Sequence, residues 1–146
     1  MPNYIDDGYT RSDGYIAASP ANQAGERLWD ALEFSYRLPT RSEWIRHDAE
    51  VKIALRNEDQ DPECAIKGEE LACKFVAEHV KDWNLKNRGG HAVPVSADAC
   101  MRLNGSLFKA LYYILREARL SDLKPTAKEI PPTSTDLAKN LPVGCI

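Results

Sequence analysis

Residues 61–85, DPECAIKGEELACKFVAEHVKDWNL, decide how this chain is put together. Asp61 offers an N-cap acceptor, Pro62 has the fixed φ suited to a first helical position, and Glu63 places an acid in the first turn, near the positive end of the helix dipole. From there Leu71, Ala72, Phe75, Val76, His79, Val80 and Trp83 recur at spacings of three and four and make one apolar stripe. Read as one continuous helix, residues 62–83 form a spine about 33 Å long, taken from the helical rise per residue. Gly68 weakens it near its start. Trp83 closes the stripe and is expected to anchor in the core against the last helix.

Upstream, Thr40-Arg41-Ser42-Glu43 has the pattern of a capping box, in which the Thr40 hydroxyl and the Glu43 carboxylate each accept from the other residue's backbone N–H. A helix is expected from there to about residue 56, with Trp44, Ile45, Ala49, Val51, Ala54 and Leu55 turned mostly inward. Before it, residues 32–37 alternate apolar with polar side chains, the signature of a half-buried strand, and Pro39 stops the run. The first 27 residues read as irregular. Asp7-Gly8 and Asp13-Gly14 both favour turns, set around a short extended piece at residues 15–18.

Downstream, Asn87-Arg88-Gly89-Gly90 breaks the chain and Val93-Pro94-Val95 is extended. Ser96 caps a short helix over residues 97–103, which Asn104-Gly105 closes, and Ser106 caps the last helix. There Leu107, Phe108, Leu111, Tyr112, Ile114, Leu115 and Ala118 make a broad apolar face. After Ser121 the chain is polar and broken by prolines, with too little apolar surface to offset the entropy of ordering it. The expected fold is therefore mainly α: a small helical domain over residues 28–121 with a short N-terminal extended or β segment. An irregular arm over residues 1–27 and a disordered tail over residues 122–146 flank it.

Composition narrows the function. The chain has 19 Lys and Arg against 22 Asp and Glu, a net charge of −3, and that balance lacks the basic footprint of a nucleic-acid binder. No apolar run reaches the length of a membrane span, and MPNYIDDGYTRSDG has neither a basic n-region nor an apolar h-region. A cytoplasmic protein is expected, contacting neither nucleic acid nor membrane. Cys64, Cys73, Cys100 and Cys145 contain no close pair of the kind that grips zinc. Reduced thiols packed as small hydrophobes account for Cys73 and Cys100.

Chemistry is sparsely signalled. His47 with Asp48 and Glu50, and Glu69-Glu70 with Cys73, are the nearest approaches to catalytic constellations, but carboxylates at helical spacing are usually solvated faces. No zinc-protease motif, phosphate loop, nucleophile elbow or calcium loop is present. No catalytic residue, metal site or cofactor is assigned, and the chain is read as a protein that binds other proteins. The candidate partner-binding residues are aromatic or clustered apolar groups. Tyr113 must point away from the face that Tyr112 joins, and Trp83 becomes an interface residue if its truncation costs little stability. In the tail, Leu137, Leu141, Val143 and Ile146 cluster near the terminus as anchors for reversible binding.

Two short motifs carry a resemblance. The step Tyr36-Arg37-Leu38-Pro39-Thr40 leads into a helix hairpin, and Val80-Lys81-Asp82-Trp83-Asn84-Leu85, a Gly turn and Val93-Pro94-Val95-Ser96 lead into the last helices. Over about residues 32–119 this outline resembles the small tail assembly chaperones of long-tailed bacteriophages. The resemblance implies a non-catalytic factor in the host bacterial cytoplasm. Such a factor binds the tape-measure protein and other tail proteins, assists tail-tube polymerisation and is absent from the finished virion. A structural phage component retained in the particle (a head–tail connector or minor tail protein) is the alternative, and a helical small-ligand binder or enzyme is the next.

Overall fold

The computed structural model describes residues 10–57 and 59–125. Its elements run β1 (Arg11–Ile16), β2 (Leu32–Arg37), α1 (Arg41–Ala54), α2 (Pro62–His79), β3 (Val80–Trp83), α3 (Ala97–Met101) and α4 (Gly105–Leu115). The strands form one antiparallel sheet in the order β1-β2-β3. The fold is thus mixed α/β, and the expectation of a mainly α domain is corrected by two strands that the sequence reading took for something else.

The first is β3. The helix that starts at Pro62 stops at His79, where Val80 turns extended (φ −76°, ψ 125°) while its N–H still reaches the Val76 carbonyl. Val80, Asp82 and Trp83 then pair with Tyr36, Ser35 and Phe34, with a bulge between Ser35 and Tyr36. Val80 and Trp83 sit at a spacing of three, which suits a helical stripe, so periodicity alone favours the helix. A long-range partner decides otherwise, because β2 has a second edge whose backbone groups need pairing. Asn84 extends the ladder: its N–H donates to the Glu33 carbonyl and its side-chain oxygen accepts from Glu33 N.

The second is β1. Asp13-Gly14 lies in mid-strand opposite Ser35 and Phe34, where a turn was expected. A Cβ on Gly14 would lie 2.2 Å from the Phe34 ring. The glycine is there to let an aromatic ring lie across the strand, the other common reason for Gly inside a sheet. Asp7-Gly8 lies outside the described residues.

The local signals for the helices hold, with one exchange of roles. The Thr40–Glu43 capping box forms in full, and Asp61 caps α2 with Pro62 in its first turn. Ser96 caps α3, but α4 is capped by Asn104, whose side-chain oxygen accepts from Ser106 N and Leu107 N. Asn104 serves as a cap at the start of α4 and not as the left-handed close of α3 (φ −54°).

The core lies between the sheet and the helices. Ile16, Leu32, Phe34, Tyr36 and Val80 come from the strands, Ala72 and Val76 from α2, and Leu107, Leu111, Ile114 and Leu115 from α4. Each large side chain fully buried there contributes on the order of 1.5–3 kcal/mol. Cys73 and Cys100 are buried within it, and burial pushes their thiols up to about 11 and about 12, so they pack as neutral groups. Gly68, buried in α2, leaves room for Leu55 to close the end of α1 onto it.

The C-terminal segment begins by lying along β1. Tyr15 N donates to Ser121 Oγ, Asp122 N donates to the Tyr15 carbonyl, and Ala17 N donates to Asp122 Oδ2. The tail read as disordered falls, from residue 126 on, outside the described residues. Among the described residues no helix is long and apolar enough to cross a membrane.

Candidate functional site

Polar side chains concentrate where α1 crosses α2 and α4. The capping box leaves Glu43 on the inner side of α1, and β2 ends with Arg37 beside it. Arg37 makes a bidentate bond to Glu43 at 2.9 and 2.8 Å, and Thr40 N donates to the same carboxylate. The Arg37 guanidinium holds the Glu43 carboxyl well below the usual carboxylate range, against an opposing effect of burial. His79, at the end of α2, donates from Nδ1 to the Phe75 carbonyl and places Nε2 3.1 Å from Glu43 Oε2, a contact that becomes an ion pair when the ring is protonated. One carboxylate thus joins β2, α1 and the α2–β3 junction.

A second cluster lies one helical turn further along α1. His47 is buried and stacks on Phe75 at 4.2 Å between centroids. Its Nε2 lies 2.8 Å from the Tyr112 hydroxyl, which itself accepts from Arg116 Nη1. With Arg116 donating to it, the hydroxyl can pass its own proton to His47 Nε2 when the neutral ring carries its proton on Nδ1. Burial pushes the His47 pKa down and favours this neutral form. Arg116 also forks onto Asp48 at 2.7 and 3.0 Å, and its guanidinium sits 4.4 Å from the Trp44 ring centroid. The Arg116 bond to Asp48 holds that carboxyl down.

These groups border a cleft of about 230 Å³ between α1 and α2, lined by Arg46, His47, Glu50, Lys74, Glu78 and His79 among others. Glu43 and His79 spend their polar atoms on partners within the chain, and His47 spends its Nε2 on Tyr112. Among the described residues no three His, Cys, Asp or Glu side chains gather where they can hold a metal ion. The cluster's evident chemistry is to fix α1 in place.

Other concave surfaces lie elsewhere on the described residues. A groove of about 610 Å³ runs over the solvent face of the sheet and carries Asp13, Glu33, Asp82 and Asp122, with Lys124 bonded to Glu33. A shallower notch of about 340 Å³ separates α1 from α2 at Ala54, Lys67, Glu70, Leu71 and Lys74.

The residues expected to meet a partner are dispersed. Trp83 is half-buried on β3, paired across to Phe34, with its indole N–H donating to the Val93 carbonyl at 2.6 Å. That bond, the bridge between Lys86 and Ala92 and the turn at Gly90 (φ +80°) close the connector into a hairpin. Tyr113 is 45% exposed on α4, facing away from the core that Leu111 and Ile114 fill. Leu137, Leu141, Val143 and Ile146 lie outside the described residues.

Sequence reasoning misjudged the facing of α1. Ile45 and Ile53 are each 62% exposed and Ala49 is exposed, while His47 is the buried residue of the helix. The helix carries two apolar stripes on opposite sides: Trp44, Val51 and Ala54 around His47, and Ile45, Ala49 and Ile53. Periodicity does not say which one turns inward. Glu43 could have decided it, since a capping-box carboxylate next to a strand ending in arginine invites an inward ion pair on the His47 side.

The chain matches no model of a known protein family, no curated protein and no solved structure.

Proposed function

We propose that this chain is a non-catalytic assembly chaperone of the kind found in long-tailed bacteriophages, acting in the host cytoplasm on the tape-measure protein or other tail proteins. The observation that carries this reading is where the two resembling motifs fall. Arg37 of the first step ties β2 to Glu43 and so to His79. Trp83 of the second clamps the hairpin at Val93 that leads into α3 and α4. Both motifs are consumed by architecture, as expected of a scaffold whose role is to present surfaces. Exposed Tyr113 and the outer side of α1 are surfaces such a scaffold offers.

Co-expression of the tagged chain with the tape-measure protein of the same genome tests the reading. Co-purification of the two, with the chain missing from finished particles by mass spectrometry, is the expected result. Failure to co-purify with any tail protein overturns it. A second reading, a minor structural component retained in the particle, is favoured by the outer edge of β1. Ser121 and Asp122 cover that edge at Tyr15, while Arg11 and Asp13 lack such cover among the described residues. An open edge accepts a strand from a neighbour, and finding the chain in purified particles selects this reading.

A further inference from the structure

Residues 45–53, IRHDAEVKI, carry one pattern from either end: Ile, cation, a core-side residue, anion, and Ala49 at the centre. His47 is buried and Val51 half-buried, while Ile45, Arg46, Asp48, Ala49, Glu50, Lys52 and Ile53 are exposed. At about 100° per residue, Ile45, Ala49 and Ile53 form a row that points away from the core. Arg46 and Glu50 lie on the flank of that row toward α2, where both line the cleft. Asp48 and Lys52 lie on the other flank, toward α4, where Asp48 meets Arg116 and its side chain stays 51% exposed. Arg46, Glu50 and Lys52 make no ion pair among the described residues. The face is thus an apolar row between two neutral flanks, each holding one cation and one anion.

We propose that this face pairs with the same face of a second copy of the chain, the two α1 helices antiparallel about a twofold axis at Ala49, whatever the chain's other partners are. The order of charges selects the occupant. In such a pair each flank meets its own counterpart with the chain direction reversed. Arg46 lies about 4.5 Å from Ala49 along the axis, and the second copy's Glu50 lies about 1.5 Å from it on the same side. The offset of about 3 Å is within reach of a guanidinium. Because the pattern is palindromic, the same spacing joins Lys52 to the second copy's Asp48. Ile45 then lies beside the second copy's Ile53, and Ala49 against Ala49 lets the two axes approach closely. A partner helix bearing only carboxylates, or only cations, would be repelled by one residue of each flank for every one that attracts it. Opposed helix dipoles favour the antiparallel order. Arg41, at the start of the helix, and Arg56, past its end, meet only at the periphery, where water and salt screen them. Two isoleucines and an alanine per copy bury less than the roughly 1,200 Å² of a standard interface, so the pair is weak and forms at high concentration.

Sedimentation equilibrium of the full chain, from about 10 μM to about 1 mM, tests this. Monomer at the low end and dimer at the high end are expected, with concentration-dependent NMR shifts centred on residues 45–53. Arg46→Glu sets a carboxylate against the second copy's Glu50 and should weaken the dimer roughly tenfold. Adding Glu50→Arg to that variant should restore the affinity to within about twofold of the parent. The rescue is specific to the antiparallel order, because in a parallel pair the swapped flank would meet Asp48 and Lys52 with like charges. Ile45→Ser together with Ile53→Ser should leave monomer throughout. All of these positions are exposed, and an unchanged far-UV circular dichroism spectrum shows that each variant keeps its fold. A chain that stays monomeric at the highest concentration overturns the proposal, as does a charge swap that fails to rescue or a set of shift changes away from α1. So does an acidic or a basic amphipathic helical peptide that binds this face more tightly than the chain binds itself.

Discussion

Helices α1 and α4 both pack beside α2, and they hold on by opposite chemistry. α4 buries Leu107, Phe108, Leu111, Ile114 and Leu115, an unbroken apolar face. α1 buries only His47 and is held by directed contacts: Glu43 to Arg37 and His79, Asp48 to Arg116, and Trp44 against Phe75 at 4.3 Å. Burial of apolar area is non-directional and insensitive to pH, whereas hydrogen-bonded ion pairs need geometry and charge. α4 is therefore the element the core is built on. α1 is clipped onto it, and its outer side is left available.

The sharpest break between the two helices is a pair of truncations. Leu111 is fully buried, so Leu111→Ala should cost about 2–5 kcal/mol, the sum of lost transfer free energy and a residual cavity. Ile53 removes a similar amount of side chain from the exposed side of α1, and Ile53→Ala should stay within about 0.5 kcal/mol of the parent. Urea denaturation of the two variants measures both. A comparable loss in Ile53→Ala would mean that α1 is embedded on its outer side, and the distinction between the helices would collapse.

Removing the clip should cost less. Glu43→Ala deletes half of the capping box and leaves Arg37 and the Thr40 N–H without their shared acceptor, a loss of about 1–3 kcal/mol. Hydrogen exchange locates the effect: residues 41–54 should lose protection while residues 105–115 keep it. Uniform loss across both helices would show that α1 and α4 unfold as one unit.

Acid should act the same way, with a smaller effect at first. Burial holds the His47 pKa below its ordinary value near 6.5, so its contribution is present above about pH 6.5 and is lost as pH falls toward the folded value. Glu43 and Asp48 are depressed by Arg37 and Arg116, so theirs is present above about pH 4 and is lost on further acidification. All three act in one direction, and all three lie on α1. The contribution of these three groups should therefore decline from about pH 6.5 downward, with exchange rising first in residues 41–54. The variant His47→Gln, which carries no titrating ring, should flatten the upper part of that decline.

The same contrast explains what was legible in the sequence. α4 could be read because its face is apolar throughout and nothing else in the chain competes for it. Thr40, Asp61 and Ser96 could be read because a cap is a local matter of one side chain and the next turn. β2 forms over the residues that alternation marks. What escaped was set by partners far along the chain. β3 is a strand because β2 lies next to it, Gly14 is extended because Phe34 lies across it, and α1 turns His47 inward because Tyr112 and Phe75 receive it. Of the site, Tyr113 was placed outward from the adjacency of two tyrosines. The exposure of Ile45 and Ile53 was hidden by a helix that is apolar on two sides.

The smallest expected effect also belongs to α4 and has the opposite sign. The helix closes with Ala118 N donating to the Tyr113 carbonyl and Glu117 N to that of Ile114, the bond pair of a Schellman motif. That motif needs a left-handed residue after the cap, and the residue here is Glu117, at φ +59°. A side chain in this region crowds its own backbone, and glycine removes the crowding at some cost in unfolded-state entropy. Glu117→Gly should raise stability by about 0.5–1 kcal/mol, read as an upward shift in the urea midpoint with an unchanged slope. Glu117 lies close enough to Tyr36 for its charge to be felt there, and Glu117→Gln separates that influence from the backbone effect. If Gln stabilises as much as Gly, the gain comes from removing the charge. If Gly alone stabilises, the strain resides in the cap. In that case α4, though secured by its apolar face, is less than optimal at the turn that hands the chain on to the segment lying along β1.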